Sequence, residues 1–174
     1  MKQSAIVATY TTHTEAEAAV KTVQKAGFEM KKLSIVGKDY HSDEQVVGYY
    51  NIGDRAKSWG KYGAFWGGLW GLLFGSAFFF IPGFGPVVVA GPLVIWIIGA
   101  LEGAVVVGGL SAIGAGLFSI GIPNDSIVQY ETSLKANKFL LIVHSTPDEV
   151  EQARKILAST KAAETMVHHD LNAK

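Results

Sequence analysis

The sequence predicts an α+β domain of four strands that is interrupted by a membrane-inserted helical hairpin. One observation behind this fold class is that residues 62–124, a stretch of 63 residues, contain a single charged residue, Glu102. The other is that both flanks of this stretch alternate short apolar runs with amphipathic helical patterns, as strands and helices do. The chain therefore divides into residues 1–61, residues 62–122 and residues 123–174.

The first flank reads as strand, helix, strand. Residues 5–10 are a short apolar run typical of a buried strand. Thr12 stands three positions before Glu15, which is the spacing of a capping box, and the helix that follows ends at Gly27. Residues 33–36 predict the second strand. A polar, turn-rich loop then leads to the apolar centre.

The second flank reads as helix, strand, helix, strand. Pro123 predicts a helix start, and the amphipathic pattern after it ends near Asn137. Residues 139–144 are the strongest strand signal in the chain. Thr146 and the proline after it predict the next helix start, and residues 165–169 predict the last strand.

Joined across the apolar centre, the flanks give β-α-β-β-α-β, the ferredoxin-like arrangement. The centre is then an insertion between the second and third strands. Because one sheet is built from both flanks, both must lie on the same side of any membrane. The insertion must therefore cross a membrane an even number of times.

A transmembrane helical hairpin meets this requirement. Residues 62–81 and residues 92–112 each supply about 20 apolar residues, the length of one membrane-spanning helix. Residues 82–86 hold two prolines and two glycines and predict the turn between them. A hairpin that only dips into the bilayer is the alternative, since this turn carries no charge.

Basic and aromatic residues border the predicted hairpin. Lysine and arginine side chains before the first span place both flanks in the cytoplasm by the positive-inside rule, and tryptophans fit an interfacial belt. The predicted interface anchors are Arg55, Lys57, Trp59, Lys61, Trp66 and Trp96. The predicted location is therefore the cytoplasmic (inner) membrane, with the lipid bilayer as a partner.

Small residues recur at every fourth position of the centre, which lets helix backbones approach closely. They are Gly67, Gly71 and Gly75, followed by Ala100, Ala104, Gly108, Ala112 and Gly116. One interpretation is that these glycine-zipper-like ribbons only pack the hairpin's own helices together. The other is that they join copies of the chain, which predicts a homo-oligomer.

Glu102 lies near the middle of the second predicted span. A carboxylate at that depth is costly, by about 2.5–3.5 kcal/mol on insertion scales, unless it is protonated, paired or hydrated. It is consistent with an ion or proton path, with a ring of hydrogen bonds between subunits, or with a neutral acid packed against backbone.

Composition excludes several other functions. The 15 acidic residues balance the 15 basic ones, so there is no basic surface for nucleic acid, and there is no cysteine for thiol or disulfide chemistry. Histidines 144, 168 and 169 end neighbouring predicted strands, but no spaced cluster supports a metal site. We therefore expect no enzyme, no catalytic residue, no metal and no cofactor, and we leave a small-molecule ligand open.

The sequence also resembles a bacterial group, the general-stress-protein-like families of small proteins with domains of unknown function. The resemblance rests on Gly121-Ile122-Pro123, Tyr130-Glu131, Leu134-Lys135 and the strand FLLIV, with Trp-Gly-Lys at 59–61 and IPGFGP at 81–86. It covers nearly the whole chain. It implies a bacterial, membrane-associated, stress-linked protein, and it supplies no catalytic residues.

The function predicted from the sequence is a non-enzymatic membrane protein that self-associates through its small-residue seams and has a structural, scaffolding or membrane-shaping role. One alternative is an oligomeric pore or an ion or proton conduit that uses Glu102. Another is a membrane-anchored ligand sensor. A hairpin that instead forms the core of a closed soluble assembly is the remaining alternative.

Overall fold

The structure is a computed structural model that describes residues 3–38, 76–81, 84–102 and 111–171. The described strands are β1 (Gln3–Tyr10), β2 (Leu33–Lys38), β3 (Ser76–Ile81), β4 (Gly85–Ala90), β5 (Phe139–Ser145) and β6 (Glu164–Leu171). The described helices are α1 (His13–Lys25), α2 (Leu93–Glu102), α3 (Ala112–Ser119), α4 (Asn124–Lys135) and α5 (Pro147–Leu157), with a 3-10 turn at Met30–Lys32.

All six strands form one sheet in the order β3-β4-β2-β5-β1-β6, and every described pairing is antiparallel. The four flank strands are consecutive in this order. At the centre, Ile6 of β1 lies opposite Val143 of β5 and opposite Val167 of β6. The β3–β4 hairpin extends the sheet beyond β2.

Helices cover both faces of the sheet. Because strand side chains alternate between faces, Ile6 and Tyr10 of β1 join one buried cluster, with α1 and α5, whereas Val7 joins another. That second cluster contains buried residues of α2, α3 and α4, among them Ile97 and Leu117. The result is a three-layer arrangement in which the sheet separates two helical layers.

The secondary structure predicted for the flanks is confirmed. Thr12 caps α1, where its hydroxyl accepts a hydrogen bond from the backbone N–H of Glu15 at 3.3 Å. Thr146 caps α5 in the same way, accepting from the N–H of Glu149 at 3.4 Å. The flank strands are present as well, with bounds that differ from the predicted ones by no more than about two residues.

The predicted transmembrane hairpin is wrong, and so is the fold class that contains it. Residues 76–81, expected at the end of the first spanning helix, form strand β3, and β4 follows a tight turn. In that turn Phe84 donates its N–H to the carbonyl of Ile81 at 3.0 Å, and Gly85 adopts a φ of +78°. The runs FFFI and VVVA are apolar enough for a membrane helix. They also consist mainly of aromatic and β-branched residues, which favour strands.

The second predicted span is also wrong. The described part of helix α2 has ten residues, about 15 Å of helix against a bilayer core of about 30 Å, and the next described helix, α3, begins at Ala112. Across the described ranges, no helix has both the length and the apolar character needed to cross a membrane. The inner-membrane location and the membrane scaffold, conduit and sensor functions predicted from the sequence are therefore not supported.

Candidate functional site

A buried polar contact joins α4 to the edge strand β6. The hydroxyl of Tyr130 lies 2.7 Å from Nε2 of His168, and the two rings meet edge to face at 89°. Only 2% of Tyr130 and 8% of His168 is exposed. This contact fastens α4 to the sheet through one hydrogen bond that is shielded from water.

A second histidine lies in the same row of the sheet. Ala5 of β1 is the register partner of His144 on β5 and of His168 on β6, so both imidazoles lie on the α4 face with one strand between them. Burial lowers the pKa of both histidines, and the neighbouring His169 lowers that of His168 further. Burial raises the pKa of the Tyr130 phenol. Near neutral pH the row therefore holds uncharged imidazoles and a protonated phenol.

A charged network lies on the opposite face of the sheet. The Nζ of Lys32 donates to Oε1 of Glu149 at 2.8 Å, and the Ser145 hydroxyl donates to the same carboxylate. The ammonium of Lys32, followed by the Ser145 hydroxyl, lowers the pKa of Glu149 from 4.5 to about 2. Facing Ser145 in register is Ser4, whose Oγ is buried without a hydrogen-bond partner in the described part of the chain. This network ties the start of α5 to the start of β2.

Replacing Glu149 with glutamine is expected to lower the free energy of unfolding by about 1 kcal/mol at pH 7, the upper range for a partly exposed ion pair. The folded pKa is depressed, so the stabilisation is complete above pH 4.5 and is lost as the pH falls toward 2. Urea titrations of both proteins between pH 7 and pH 2.5 should converge at the acidic end. Glu151→Gln, which breaks an exposed pair with Arg154, is the control and should change the free energy little. A Glu149 effect that persists undiminished at pH 2.5 would contradict this assignment.

The histidines do not form a metal-binding cluster in the described residues. Neighbouring positions of a strand face opposite sides, so His168 is buried against Tyr130 while His169 is exposed. No group of three or more histidine, cysteine, aspartate or glutamate side chains is placed to hold a metal ion within the described ranges. That the protein is not an enzyme remains a prediction.

Helix α2 presents an apolar face to solvent. Ile95 is 74% exposed, and Trp96 and Ile98 are 39% and 40% exposed, whereas Leu93 and Ile97 are buried. We call the residues Ile95, Trp96, Ile98 and Gly99 the α2 face. Trp96, predicted as a membrane anchor, is part of this face.

The described members of the small-residue ribbons lie in α2 and α3. A Cβ on Gly116 would lie 2.8 Å from Cγ1 of Ile97, so the two helices are in close contact there. Ala100 and Ala112 are half-buried, and Glu102 is the last residue of α2. The remaining predicted site residues lie outside the described part: Arg55, Lys57, Trp59, Lys61, Trp66, Gly67, Gly71, Gly75, Ala104 and Gly108. Their assignment to packing, oligomer contacts or membrane anchoring remains a prediction.

The Gly-Ile-Pro motif forms the corner between α3 and α4. Gly121 has a φ of +94° and donates its N–H to the carbonyl of Phe118, which ends α3. Ile122 is buried in the cluster beneath the corner, and Pro123 precedes the first residue of α4. The motif therefore sets the angle between two helices.

The two motif pairs in α4 bind that helix to its surroundings. Beside the buried Tyr130, Glu131 accepts hydrogen bonds from the N–H and the hydroxyl of Ser111 at 3.1 and 2.6 Å. Leu134 is buried, and the Nζ of Lys135 lies 5.1 Å from the centre of the Phe84 ring, a cation–π contact. Each member of the two pairs thus contacts the sheet layer, α3 or the β3–β4 turn.

These features define an α+β protein in which one antiparallel sheet carries helices on both faces and a buried tyrosine–histidine contact holds one of them. Residues 5–78 match the family model described as the heat induced stress protein YflT domain. The resemblance to general-stress-protein-like proteins is confirmed over this segment. Searches among curated proteins and among solved structures gave no match.

Sequence reasoning missed the Tyr130–His168 contact because it treated the histidines as exposed strand ends. A signal was present in the pattern. Met166 and His168 share one face of β6, and Tyr130 lies on the same stripe of α4 as Ile127 and Leu134. What the pattern did not contain was which helix covers β6.

Proposed function

We propose that this protein is a non-enzymatic, stress-linked domain that works by assembling with a second copy of itself through the α2 face. The observation that carries the proposal is the 74% exposure of Ile95, with Trp96 and Ile98 exposed beside it. Exposed apolar side chains that are contiguous on one helix are typical of interaction surfaces. The stress link is supported by the match of residues 5–78 to the heat induced stress protein YflT domain.

The buried side of helix α2, opposite the α2 face, is fixed by contacts with β2 and α3. The N–H of Leu93 donates to the buried hydroxyl of Ser34 on β2 at 3.1 Å, which fixes the start of the helix. Further along, Ile97 packs against α3 at Gly116. A surface that is already ordered loses less conformational entropy when it binds, so more of its apolar burial contributes to affinity.

The composition of the chain favours a second copy as the occupant. The net charge is zero, so two copies approach without electrostatic repulsion. Positions 93–101 of α2 contain no charged residue, and the one charge of the described helix, Glu102, lies at its end. If a two-fold axis passes through such a face, each of its side chains is buried in both copies of the chain. No atom lies within 4 Å of a Cβ built on Gly99, which leaves a shallow place for a partner side chain.

Ile95→Glu is expected to convert a dimer into a monomer at micromolar concentrations. The substitution places one carboxylate from each copy in the interface, where both lose hydration and repel each other, so the dissociation constant should rise at least ~100-fold. Sedimentation equilibrium over a range of protein concentrations measures this directly.

Val128→Glu is the matched control, because Val128 is 55% exposed on α4 and the substitution changes the net charge equally. This variant should keep the mass of the wild-type protein. Unfolding midpoints of all three proteins should agree closely when they are measured below the concentration at which copies associate, since both positions are exposed. A wild-type protein that is monomeric throughout, or an Ile95→Glu protein that still dimerises, would refute the proposal.

A further inference from the structure

The hydrogen bond between Tyr130 on α4 and His168 on β6 is expected to depend on the protonation state of the imidazole. The Tyr130 phenol is protonated because burial, and secondarily the charge on Glu164, raises its pKa. We assign the phenol as the donor to Nε2 of a neutral His168 imidazole, in the tautomer whose Nε2 carries no proton. A proton on that nitrogen would remove this acceptor, so the hydroxyl would have to rotate and accept from the imidazolium instead.

Protonation also places a charge in a buried row. The titratable groups around His168 are His144, one strand away on the same face, its neighbour His169 on β6, and Glu164 near Tyr130. On α4, Glu131 is bound to Ser111 at the start of α3. An imidazolium at His168 thus lies one strand away from His144, a second partly buried histidine on the same face.

The direction of the pH effect follows from the burial of His168. Its pKa is lowered in the folded protein, so the unfolded or opened state takes up the proton first as the pH falls. The closed state is therefore fully stabilised above about pH 6.5 and loses that stability as the pH falls toward the folded pKa. Burial of His144 acts in the same direction.

Opening of α4 would extend to α3. Glu131 holds both the N–H and the hydroxyl of Ser111, and the same hydroxyl caps α3 by accepting from the N–H of Gly114 at 3.1 Å. The apolar cluster of the opposite layer contains no histidine among the described residues, and the carboxylate of Glu149 in that layer has a pKa lowered to about 2, so its ion pair with Lys32 persists in this pH range. Acid should therefore weaken one helical layer and leave the other in place.

We propose that Tyr130 and His168 form an acid-operated clasp, which holds α4 and α3 on the sheet at neutral pH and releases them when His168 takes up a proton. The clasp does not depend on assembly through α2. It would couple the packing of one helical layer to the acidity of the surroundings.

Hydrogen exchange of the full-length protein, read by mass spectrometry and corrected for the intrinsic pH dependence of exchange, tests the clasp. Between pH 7.5 and about pH 5.5 we expect exchange in α4 and α3 to accelerate at least ~10-fold, with α1 and α5 changing less than ~2-fold. No acceleration in α4, or an equal acceleration in all four helices, would overturn the proposal.

Substitutions assign the effect to His168. His168→Gln, which keeps a hydrogen-bonding group and cannot take up a proton in this range, should reduce the acceleration in α4 to less than ~2-fold, with the remainder due to His144. His13→Gln, on α1 in the other layer, should leave the response intact. A response that survives His168→Gln would overturn the proposal.

Two further measurements apply if His168→Gln does not fold. Tyr130→Phe should already accelerate exchange in α4 at pH 7.5, because it removes the hydroxyl and leaves a buried imidazole nitrogen unpaired. An NMR titration of wild-type His168 should give a pKa below that of a free histidine. Unchanged exchange in Tyr130→Phe, or an ordinary His168 titration, would sink the idea.

Discussion

Replacing Gly91 with alanine is expected to lower the free energy of unfolding by about 4 kcal/mol, one of the largest single-residue effects in the chain. Gly91 has a φ of +91° between β4 and α2. A Cβ at this position would overlap the carbonyl oxygen of Leu33 and lie 2.9 Å from Cα of Ser34. Because both atoms belong to the backbone of β2, neither can rotate away, and β4 and α2 would have to separate from β2.

Gly85→Ala separates the overlap from the backbone strain. Gly85 has a similar φ of +78°, but no atom lies within 4 Å of a Cβ built there. Its substitution should therefore lower the free energy of unfolding by only about 1 kcal/mol. Urea denaturation followed by circular dichroism compares the two variants. Equal losses would show that α2 does not start against β2 as described.

Ile97→Ala is expected to lower the free energy of unfolding by about 3 kcal/mol, the usual effect of removing a large aliphatic side chain from a core. Ile97 has no exposed surface and shares its cluster with Leu93, Ile113 and Leu117. The close contact at Gly116 holds α3 against α2, so the cavity cannot easily collapse.

Ile95→Ala is the comparison, since it removes the same atoms from the same helix two positions away. With 74% of Ile95 exposed, the free energy of unfolding should change by less than about 0.5 kcal/mol when measured below the concentration at which copies associate. Denaturation curves of both variants give the difference directly. If the two substitutions had the same effect, the described orientation of α2 would be wrong.

The flanks could be predicted because their signals are local. Thr12 and Thr146 stand at capping positions, and the caps form with the adjacent chain alone, whatever the rest of the protein does. The buried run of β5 needs no knowledge of its neighbours to be recognised as a strand. Such signals survive any change in the tertiary arrangement.

The centre could not be predicted in this way, because hydropathy measures transfer from water to any apolar surroundings. Val87 and Val89 of β4 are as fully removed from water by packing on Ile97, Ile113 and the α4 residues as they would be by lipid. A stretch with almost no charge therefore predicts that its residues are buried, but it does not predict whether protein or lipid surrounds them. Of the predicted turn at 82–86, residues 82–83 lie outside the described part, Phe84 lies in a turn and Gly85 already begins β4, and the elements on its two sides are strands instead of helices.

The contact between Tyr130 and His168 could not be predicted from the sequence for a different reason. It depends on β6 pairing with β1 at the sheet edge and on α4 lying across that edge. Both are long-range facts. The role of Glu131 beside Tyr130 in the motif is also a long-range fact. Glu131 binds Ser111, so its role became clear only once α3 was placed beside α4.

The strand order has a consequence for how the chain folds during synthesis. β1 and β2 are not adjacent, because β5 lies between them, and the residues of β1 pair with partners between 129 (Tyr10–Phe139) and 168 (Gln3–Leu171) residues later in the chain. None of the described pairings joins two strands that both lie within residues 5–78. The described strands of that segment therefore leave the ribosome before the strands they pair with. β1 stays unpaired until β5 and β6 emerge, so we expect slow closure of the sheet and a nascent chain that depends on protection from aggregation.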